Sequence, residues 1–350
     1  MKYSRLGSSP LEVSRICLGS MTWGLQNNQH DADEQINYAL SRGINFIDTA
    51  EMYAVPPAPE TYGKTEEIIG NWLSRHQEKR EQLVIATKIA GNGLPWIRNG
   101  GHITGDAVVK AVDDSLTRLQ SDYIDLYQLH WPNRTSPHFG KQWPGMLAIN
   151  EVDSTAEREG MLDILQGLEK CIKAGKIRHW GLSDDTPWGI QTYLSLAQQH
   201  NLSKPVAIQN EFSLLHAKDW PYLIEQCKHE DIAYLPWSPL ASGMLSGKYL
   251  GGARPEGSRW TLVQRQGLFR DTQLAQEAVA KYQEIAHEFD LTAAQLALAW
   301  CDQVEGVTST IIGATSMAQL KENVQAFEQP LCPEALAEID TVFKAYPAPF

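Results

Sequence analysis

Three residues with ionisable side chains each stand at the end of an apolar stretch in the first half of the chain. They are Asp48, Lys88 and His130, and Tyr53 follows shortly after Asp48. A carboxylate at the end of a buried strand needs a cationic partner, because an unpaired buried charge is costly. We therefore expect these four side chains to meet in one site.

These residue types are suited to proton transfer to a carbonyl group. A tyrosine is a weak acid with an ordinary pKa of about 10. A neighbouring ammonium group is expected to lower that pKa by stabilising the phenolate, and a carboxylate holds the ammonium in place. A histidine beside them can orient a carbonyl oxygen. Together the four groups can protonate that oxygen while a hydride reaches the carbon.

Each of these residues also has an ordinary explanation when it is taken alone. A strand-end aspartate is more often a helix cap, a strand-end lysine is usually solvated, and a histidine is usually a satisfied polar residue. Their occurrence at three successive strand ends favours a functional interpretation over these alternatives.

Eight apolar segments alternate with amphipathic segments along the chain. The predicted strands cover residues 16–18, 44–47, 83–88, 123–130, 177–182, 206–209, 232–237 and 309–312. Strands that alternate with helices form a parallel sheet, and eight such units close into a barrel whose carboxyl ends converge on one mouth. We therefore predict one α/β domain over residues 1–350, a (β/α)8 TIM barrel. A doubly wound sheet is the alternative, but no Gly-x-Gly-x-x-Gly follows the first strand.

Several segments are predicted outside this regular alternation. Residues 3–16 predict an N-terminal β-hairpin, and residues 332–343 predict an extra C-terminal helix. Residues 274–303 form one or two helices, and the helix before the fifth strand is predicted over 161–174. The irregular segment 131–160 follows His130 directly, so we expect it to overhang the catalytic face. A subunit contact is the alternative role for that segment.

The composition is that of a globular protein, with 43% hydrophobic and 21% charged residues among 350. The formal charge of −12 argues against nucleic acid or an anionic membrane as the main partner. No apolar run approaches the roughly 20 residues of a membrane span. The first residues lead into no apolar signal region, so we expect a cytoplasmic protein. The five cysteines are far apart and are expected to be free thiols; the oligomeric state stays open, a homo-oligomer included.

Residues 43–53, which read GINFIDTAEMY, resemble the signature of the aldo-keto reductase family. Matching motifs continue at Lys88 and at residues 125–132, 175–178, 181–183, 209–210, 237–240, 247–249, 313–315 and 319–323. The set is most similar to the Tas-like branch, which is related to the potassium-channel β subunits. The resemblance implies a barrel that binds NADP(H) without a Rossmann domain. It makes Tyr53 the proton donor, Asp48 and Lys88 its tuning pair, and His130 the substrate-orienting residue.

The resemblance also implies a row of cofactor-binding residues. It places the nicotinamide carboxamide near Ser183, Asp184 and Gln209, with Trp237 stacked on the ring. Ser238, Pro239, Leu240 and Lys248 would follow the pyrophosphate, and Gly313, Thr315, Gln319, Glu322 and Asn323 would hold the adenosine and its phosphate. The remaining cofactor-binding candidates are Ser20, Met21, Asp48, Ser242 and Arg259. Barrels often bind phosphate at the loops after strands seven and eight, where several of these residues lie.

The chain departs from the family pattern at three positions. Asp184 replaces the common asparagine, and an ionised aspartate accepts hydrogen bonds but cannot donate them. Gly313 replaces a common lysine, so the cations expected to bind the 2′-phosphate of NADP are Lys248 and Arg259. Met21 replaces an aromatic residue that lines the substrate pocket in many members.

Three functions are compatible with this sequence. The first is NADPH-dependent reduction of a small aldehyde or ketone to an alcohol. The second is a regulatory module that senses bound NADP(H) with slow or no turnover. The third, a retaining glycosidase, needs two carboxylates about 5–5.5 Å apart, whereas Asp48 is the one carboxylate assigned to the mouth. No His/Cys cluster has metal-ligand spacing, so no metal site is predicted.

Overall fold

The computed structural model describes residues 1–262 and 268–350. The chain begins with the predicted hairpin, in which β1 (Tyr3–Arg5) pairs antiparallel with β2 (Glu12–Ser14). Its turn contains Gly7 at a φ of +55°, and a Cβ there would lie 2.2 Å from the Val206 carbonyl oxygen. The hairpin therefore packs against the barrel where a later strand enters it.

Eight parallel strands follow, as the sequence predicts. They are β3 (Ile16–Gly19), β4 (Phe46–Asp48), β5 (Val84–Ile89), β6 (Ile124–Leu129), β7 (Ile177–Ser183), β8 (Ala207–Glu211), β9 (Ala233–Trp237) and β10 (Thr310–Ile312). Neighbours in the chain are neighbours in the sheet, and β10 returns to pair with β3. The Thr308 amide donates to the Tyr234 carbonyl oxygen at 2.9 Å, which joins the two remaining edges. The predicted (β/α)8 barrel is confirmed.

Helices surround the strands. They are α1 (Gln29–Ser41), α2 (Lys64–Arg75), α3 (Gly105–Leu119), α4 (Ser154–Lys173), α5 (Pro187–His200), α6 (Tyr222–His229), α7 (Gln273–Glu288), α8 (Ala293–Gln303), α9 (Met317–Gln325) and α10 (Pro333–Ala345). The predicted segment 274–303 is two helices, and α10 is the predicted extra helix. The predicted start of α4 was wrong, because the helix begins at Ser154 behind an Asp153 cap. None of the helices in the described ranges is long and apolar enough to cross a membrane.

The alternation along each strand determines which side chains reach the mouth. Phe46, Ala86, Leu126 and Ala207 belong to one buried apolar cluster inside the barrel. Side chains two residues apart on a strand share a face. The next interior positions towards the carboxyl ends are therefore Asp48, Lys88, Gln128 and Gln209. The barrel interior is apolar towards the amino ends of the strands and polar towards their carboxyl ends. The fold therefore places these four polar side chains close together at the mouth.

Candidate active site

Lys88 and Asp48 form a buried ion pair at the ends of β5 and β4. Lys88 has no solvent exposure, and its Nζ donates to Asp48 Oδ1 and Oδ2 and to the Thr49 carbonyl oxygen, each at 2.7 Å. Gln209 Nε2 donates to Asp48 Oδ1 at 2.8 Å. Both charged groups are thus compensated, which a buried ion pair requires.

Tyr53 lies beside this pair in the turn after β4. Lys88 Nζ is 5.3 Å from its ring centroid, and the His130 ring packs edge-on against it with centroids 5.7 Å apart. Burial raises the pKa of Tyr53 well above its ordinary value, and the charges of Asp48 and Asp184 add to that shift, whereas Arg259 opposes it. This direction is opposite to the sequence-based expectation. The reason is that the charge of Lys88 is already matched by Asp48, so burial dominates and the phenol stays protonated.

His130 follows β6 and is 7% exposed. Burial lowers the pKa of its imidazole well below the ordinary value, and the positive charge of Lys88 and the neighbouring His138 act in the same direction. Its Nδ1 has no hydrogen-bond partner among the residues that the structure describes. A neutral ring with an unpartnered nitrogen is able to bind a substrate oxygen or a water molecule.

Gln128 is a member of the site that sequence reasoning did not assign. Its Oε1 lies 3.4 Å from Gln209 Nε2, and its Nε2 lies 3.5 Å from Asp48 Oδ1. The signal was present in the sequence, because Gln128 precedes His130 by two positions and so shares its face of β6. The amides of Gln128 on β6 and Gln209 on β8 thus both lie against Asp48 Oδ1, in addition to the Lys88 ammonium.

The residues proposed to hold a nicotinamide carboxamide come from the ends of β7, β8 and β9. Ser183 is buried, and the Asp184 amide donates to the Gln209 carbonyl oxygen at 3.1 Å. Trp237 Nε1 donates to Asp184 Oδ1 at 3.2 Å. The structure therefore brings Ser183, Asp184, Gln209 and Trp237 together. Burial, followed by the charge of Glu211, raises the pKa of Asp184 well above its ordinary value.

Ser20 and Met21 line the same mouth from the end of β3. Ser20 Oγ donates to the Asp48 carbonyl oxygen at 2.7 Å, which ties the ends of β3 and β4. Met21 is partly buried and packs against an apolar cluster that includes Met52 and Trp131. Met21 thus contributes an apolar side chain to the wall of the mouth.

The segment after β9 is a tight turn that contains several left-handed residues. Residues Ser238, Ala241, Ser242 and Gly243 have φ values of +57°, +48°, +59° and +93°. The Ser242 amide donates to Ser238 Oγ at 3.0 Å. The Ala241 and Gly243 amides donate to the Ser238 and Leu240 carbonyl oxygens at 2.8 Å each, so the amides of residues 241–243 are all satisfied within the loop. Pro239 and Leu240 lie between these residues in the chain.

Two cations accompany this loop. Lys248 Nζ lies 5.3 Å from the Tyr249 ring centroid, and among the described residues it has no ion-pair partner. Arg259 is partly buried, and its Nε has no hydrogen-bond partner among those residues. Burial and the charge of Arg270 lower the pKa of Arg259 to about 10, while Tyr53 and Tyr249 oppose the shift. Both cations are therefore available to a phosphate.

The residues assigned to the adenosine end surround the segment between β10 and α9. Gln319 Oε1 accepts from the Thr315 amide at 3.0 Å and from Thr315 Oγ1 at 3.1 Å. Asn323 Nδ2 donates to the Gly313 carbonyl oxygen at 3.2 Å, and a Cβ on Gly313 would meet only open space. Glu322 differs from the others, because its Oε1 accepts from Thr292 Oγ1 at 2.7 Å and is held at the start of α8.

The segment after His130 lies across the mouth, where it was expected. Phe139 packs between Trp131 and Trp237, with ring centroids 6.4 Å and 5.9 Å away. Ser136 Oγ donates to the Asp184 carbonyl oxygen at 3.0 Å, which joins the segment to β7. An aromatic cover of this kind keeps water away from Tyr53 and His130. No group of three or more His, Cys, Asp or Glu side chains in residues 1–262 and 268–350 is arranged to hold a metal ion.

Known proteins match this chain over the residues that form the site. The Aldo/keto reductase family profile matches residues 15–344. Protein tas of Escherichia coli (strain K12) and Protein tas of Shigella flexneri are each 45% identical to this chain over 354 residues. Each alignment covers 100% of both chains. Every candidate residue named above lies inside the matched region.

Proposed function

The chain belongs to the aldo/keto reductase family and is therefore an oxidoreductase, and we propose that it reduces an aldehyde or ketone to an alcohol with NADPH as the hydride donor. The observation that carries this proposal is the buried Lys88–Asp48 pair beside Tyr53 and His130. In this arrangement Tyr53 is the proton donor, and the His130 imidazole can orient the substrate at the same mouth. A retaining hydrolytic mechanism would need a carboxylate free to act as nucleophile, whereas Asp48 is bound by the Lys88 ammonium.

Tyr53 is the group that gives the proton to the carbonyl oxygen. Because burial raises the pKa of Tyr53, the phenol keeps its proton until a stronger acceptor arrives. A carbonyl oxygen that gains negative charge is such an acceptor. The Lys88 ammonium, 5.3 Å from the ring centroid, stabilises the phenolate that remains. His130 stays neutral and binds the same oxygen through a ring nitrogen.

The residues at the mouth fit an extended dinucleotide. Lys248 and Arg259, which have no ion-pair partner among the described residues, suit the phosphate groups of such a molecule. The open space at Gly313 leaves room for the adenosine end. Members of the family generally use NAD(P)H, and when bound the nicotinamide supplies the hydride. NADP is proposed over NAD because Lys248 and Arg259 are the cations proposed for the 2′-phosphate, the additional anionic group of NADP.

Steady-state oxidation of NADPH with a panel of small aldehydes and ketones tests this proposal. Sustained turnover that depends on the carbonyl compound is the expected result, with NADPH preferred to NADH. The matched variant is Lys248→Met, which should weaken NADPH binding more than NADH binding. A single turnover with retained cofactor would instead favour a regulatory module. Absence of NADPH binding would contradict the proposal altogether.

A further inference from the structure

Asp184 occupies a rigid position between four parts of the barrel mouth. It follows β7 with a φ of +50° and is 8% exposed. Its amide donates to the Gln209 carbonyl oxygen at 3.1 Å, and its own carbonyl oxygen accepts from Ser136 Oγ at 3.0 Å. Trp237 Nε1 donates to its Oδ1 at 3.2 Å. The location of this carboxyl group is therefore set by the backbone and by a neutral donor.

Asp184 lacks the cation that its neighbours have. Asp48 pairs with Lys88, Asp185 with Arg134, and Glu211 with Arg270. Among residues 1–262 and 268–350, neither a lysine nor an arginine forms a hydrogen bond or ion pair with Asp184. An ionised carboxylate that is buried without a cation is costly, and protonation is the usual relief.

The charged surroundings of Asp184 act in the same sense. Facing it are Glu211 of β8, Asp219 before α6, Lys88 of β5 and Tyr53 after β4. The adjoining cavity of about 200 Å³ is also lined by His138, Asp185, His216 and Lys218. Burial, Glu211 and Asp219 raise the pKa of Asp184, whereas the Trp237 hydrogen bond and Lys88 lower it. Burial also lowers the pKa of His138 to about 4, so that this ring is neutral at neutral pH.

We propose that Asp184 is a positioning residue that works as a neutral carboxylic acid, donating one hydrogen bond and accepting another, and that its ionisation weakens binding of the nicotinamide carboxamide. The proposal rests on the proposed function, because it requires a nicotinamide at this mouth. A protonated carboxyl and a primary amide each present one donor and one acceptor side by side. A carboxylate only accepts, so an ionised Asp184 would offer no donor to the amide oxygen.

A neutral Asp184 also affects Tyr53. The negative charge of an ionised Asp184 raises the pKa of Tyr53. Protonation removes that charge, so the phenolate formed after proton transfer is less disfavoured. Aspartic acid at this position thus behaves as asparagine does until the pH is high enough to ionise it.

The test is equilibrium binding of NADPH, followed by quenching of tryptophan fluorescence, from about pH 6 to about pH 9, a range in which ordinary lysines stay charged. The wild-type protein should lose affinity with rising pH, with a limiting slope of about tenfold per pH unit. Asp184→Asn should bind NADPH with a slope smaller than that of the wild type. Asp184→Leu should bind weakly throughout. Asp185→Asn, whose carboxylate pairs with Arg134, is the matched control and should keep the wild-type slope.

A second readout does not depend on the cofactor. The infrared spectrum of the wild-type protein at neutral pH should contain a band of a protonated carboxylic acid that Asp184→Asn lacks. Equal slopes for wild type and Asp184→Asn, or a spectrum without that band, would overturn the proposal while leaving the reductase function intact. Failure of the wild-type protein to bind NADPH at any pH would instead contradict the proposed function and this inference with it.

Discussion

Lys88 is held entirely by oxygen atoms and is shielded from water. Its three acceptors are the two Asp48 carboxylate oxygens and the Thr49 carbonyl oxygen. Since the ion pair is buried, removal of Lys88 alone would leave the Asp48 carboxylate without a compensating positive charge. The pair is therefore expected to determine stability in addition to its proposed catalytic role.

Replacement of Lys88 by methionine tests that dependence. Lys88→Met should lower the free energy of unfolding by about 3–5 kcal/mol, because Asp48 stays buried without its cation. The double variant Asp48→Asn/Lys88→Met should recover a substantial part of this loss without recovering reduction. Urea unfolding measures both values. A single variant as stable as the wild type would show that Asp48 does not need the lysine.

The neutral state of His130 predicts how stability depends on pH. Because burial lowers the pKa of His130 in the folded protein, the unfolded chain binds a proton below about pH 6.5 that the folded protein does not. Stability from this group is complete above that pH and is lost as the pH falls. His130→Gln should reduce the loss between about pH 7 and about pH 5 by up to about 2 kcal/mol.

The control for that measurement is the exposed His200 at the end of α5. Urea unfolding of His200→Gln should show the wild-type dependence on pH. An unchanged dependence in His130→Gln would contradict a neutral, buried His130.

Sequence reasoning predicted which side chains meet at the mouth of the barrel but not the direction of the Tyr53 pKa shift. Asp48, Lys88 and His130 were placed correctly at strand ends because apolar alternation shows where a buried strand stops. The predicted direction of the Tyr53 pKa shift was wrong. This direction depends on how deeply the ring is buried and on how completely the negative charge of Asp48 compensates the positive charge of Lys88. Neither quantity can be derived from residue spacing.

At the scale of the elements, the start of helix α4 could not be predicted from the apolar pattern of the sequence. The helix begins at Ser154, although its first large apolar side chain that is buried is Met161. Residues 154–160 carry no apolar periodicity, so the first two turns were interpreted as part of the preceding loop. Their start is set by Asp153, whose Oδ1 accepts from the Thr155 and Ala156 amides at 3.1 Å.

Removal of that cap should shorten the helix. Asp153→Ala is expected to cost about 0.5–2 kcal/mol, because two amides lose their acceptor. Asp153→Asn keeps an acceptor oxygen and should cost much less. Thermal unfolding gives the stability difference, and hydrogen exchange of residues 155–160 shows whether the first turns fray. Equal exchange in all three proteins would contradict the role of Asp153.

At the scale of the whole molecule, the ring of helices depends on glycines that allow close contact. A Cβ on Gly167 of α4 would lie 2.4 Å from the Gly105 carbonyl oxygen of α3. A Cβ on Gly70 of α2 would lie 2.1 Å from the Arg118 carbonyl oxygen of α3. The distances between these helices, and so the placement of the strands inside them, leave no room for a methyl group.

Two substitutions in the same helix test this packing. Gly167→Ala should lower the free energy of unfolding by about 1–3 kcal/mol through overpacking against α3. Gly160→Ala, where nothing lies within 4 Å of the added Cβ, should raise it by up to about 1 kcal/mol through helix propensity. Urea unfolding of both variants decides the matter. A stabilising effect of Gly167→Ala would contradict the close approach of the helices.

The barrel was predictable as a whole because its eight strand–helix units repeat one pattern. The cover over the mouth was not, since Phe139 reaches Trp131 and Trp237 through a segment without regular structure. Its position follows from tertiary contacts such as that of Ser136 with Asp184. The shape of the substrate pocket is thus set by interactions between distant parts of the chain.

The measurement that tests the central claim most directly compares Tyr53→Phe with Tyr127→Phe. Tyr127 is a fully buried tyrosine whose hydroxyl has no hydrogen-bond partner among the described residues. If Tyr53 gives the proton, its replacement should lower the single-turnover rate of carbonyl reduction by about 10²–10⁴-fold while NADPH still binds. Tyr127→Phe should react at nearly the wild-type rate. Equal rates for Tyr53→Phe and the wild-type protein would contradict the assignment of Tyr53 as the proton donor.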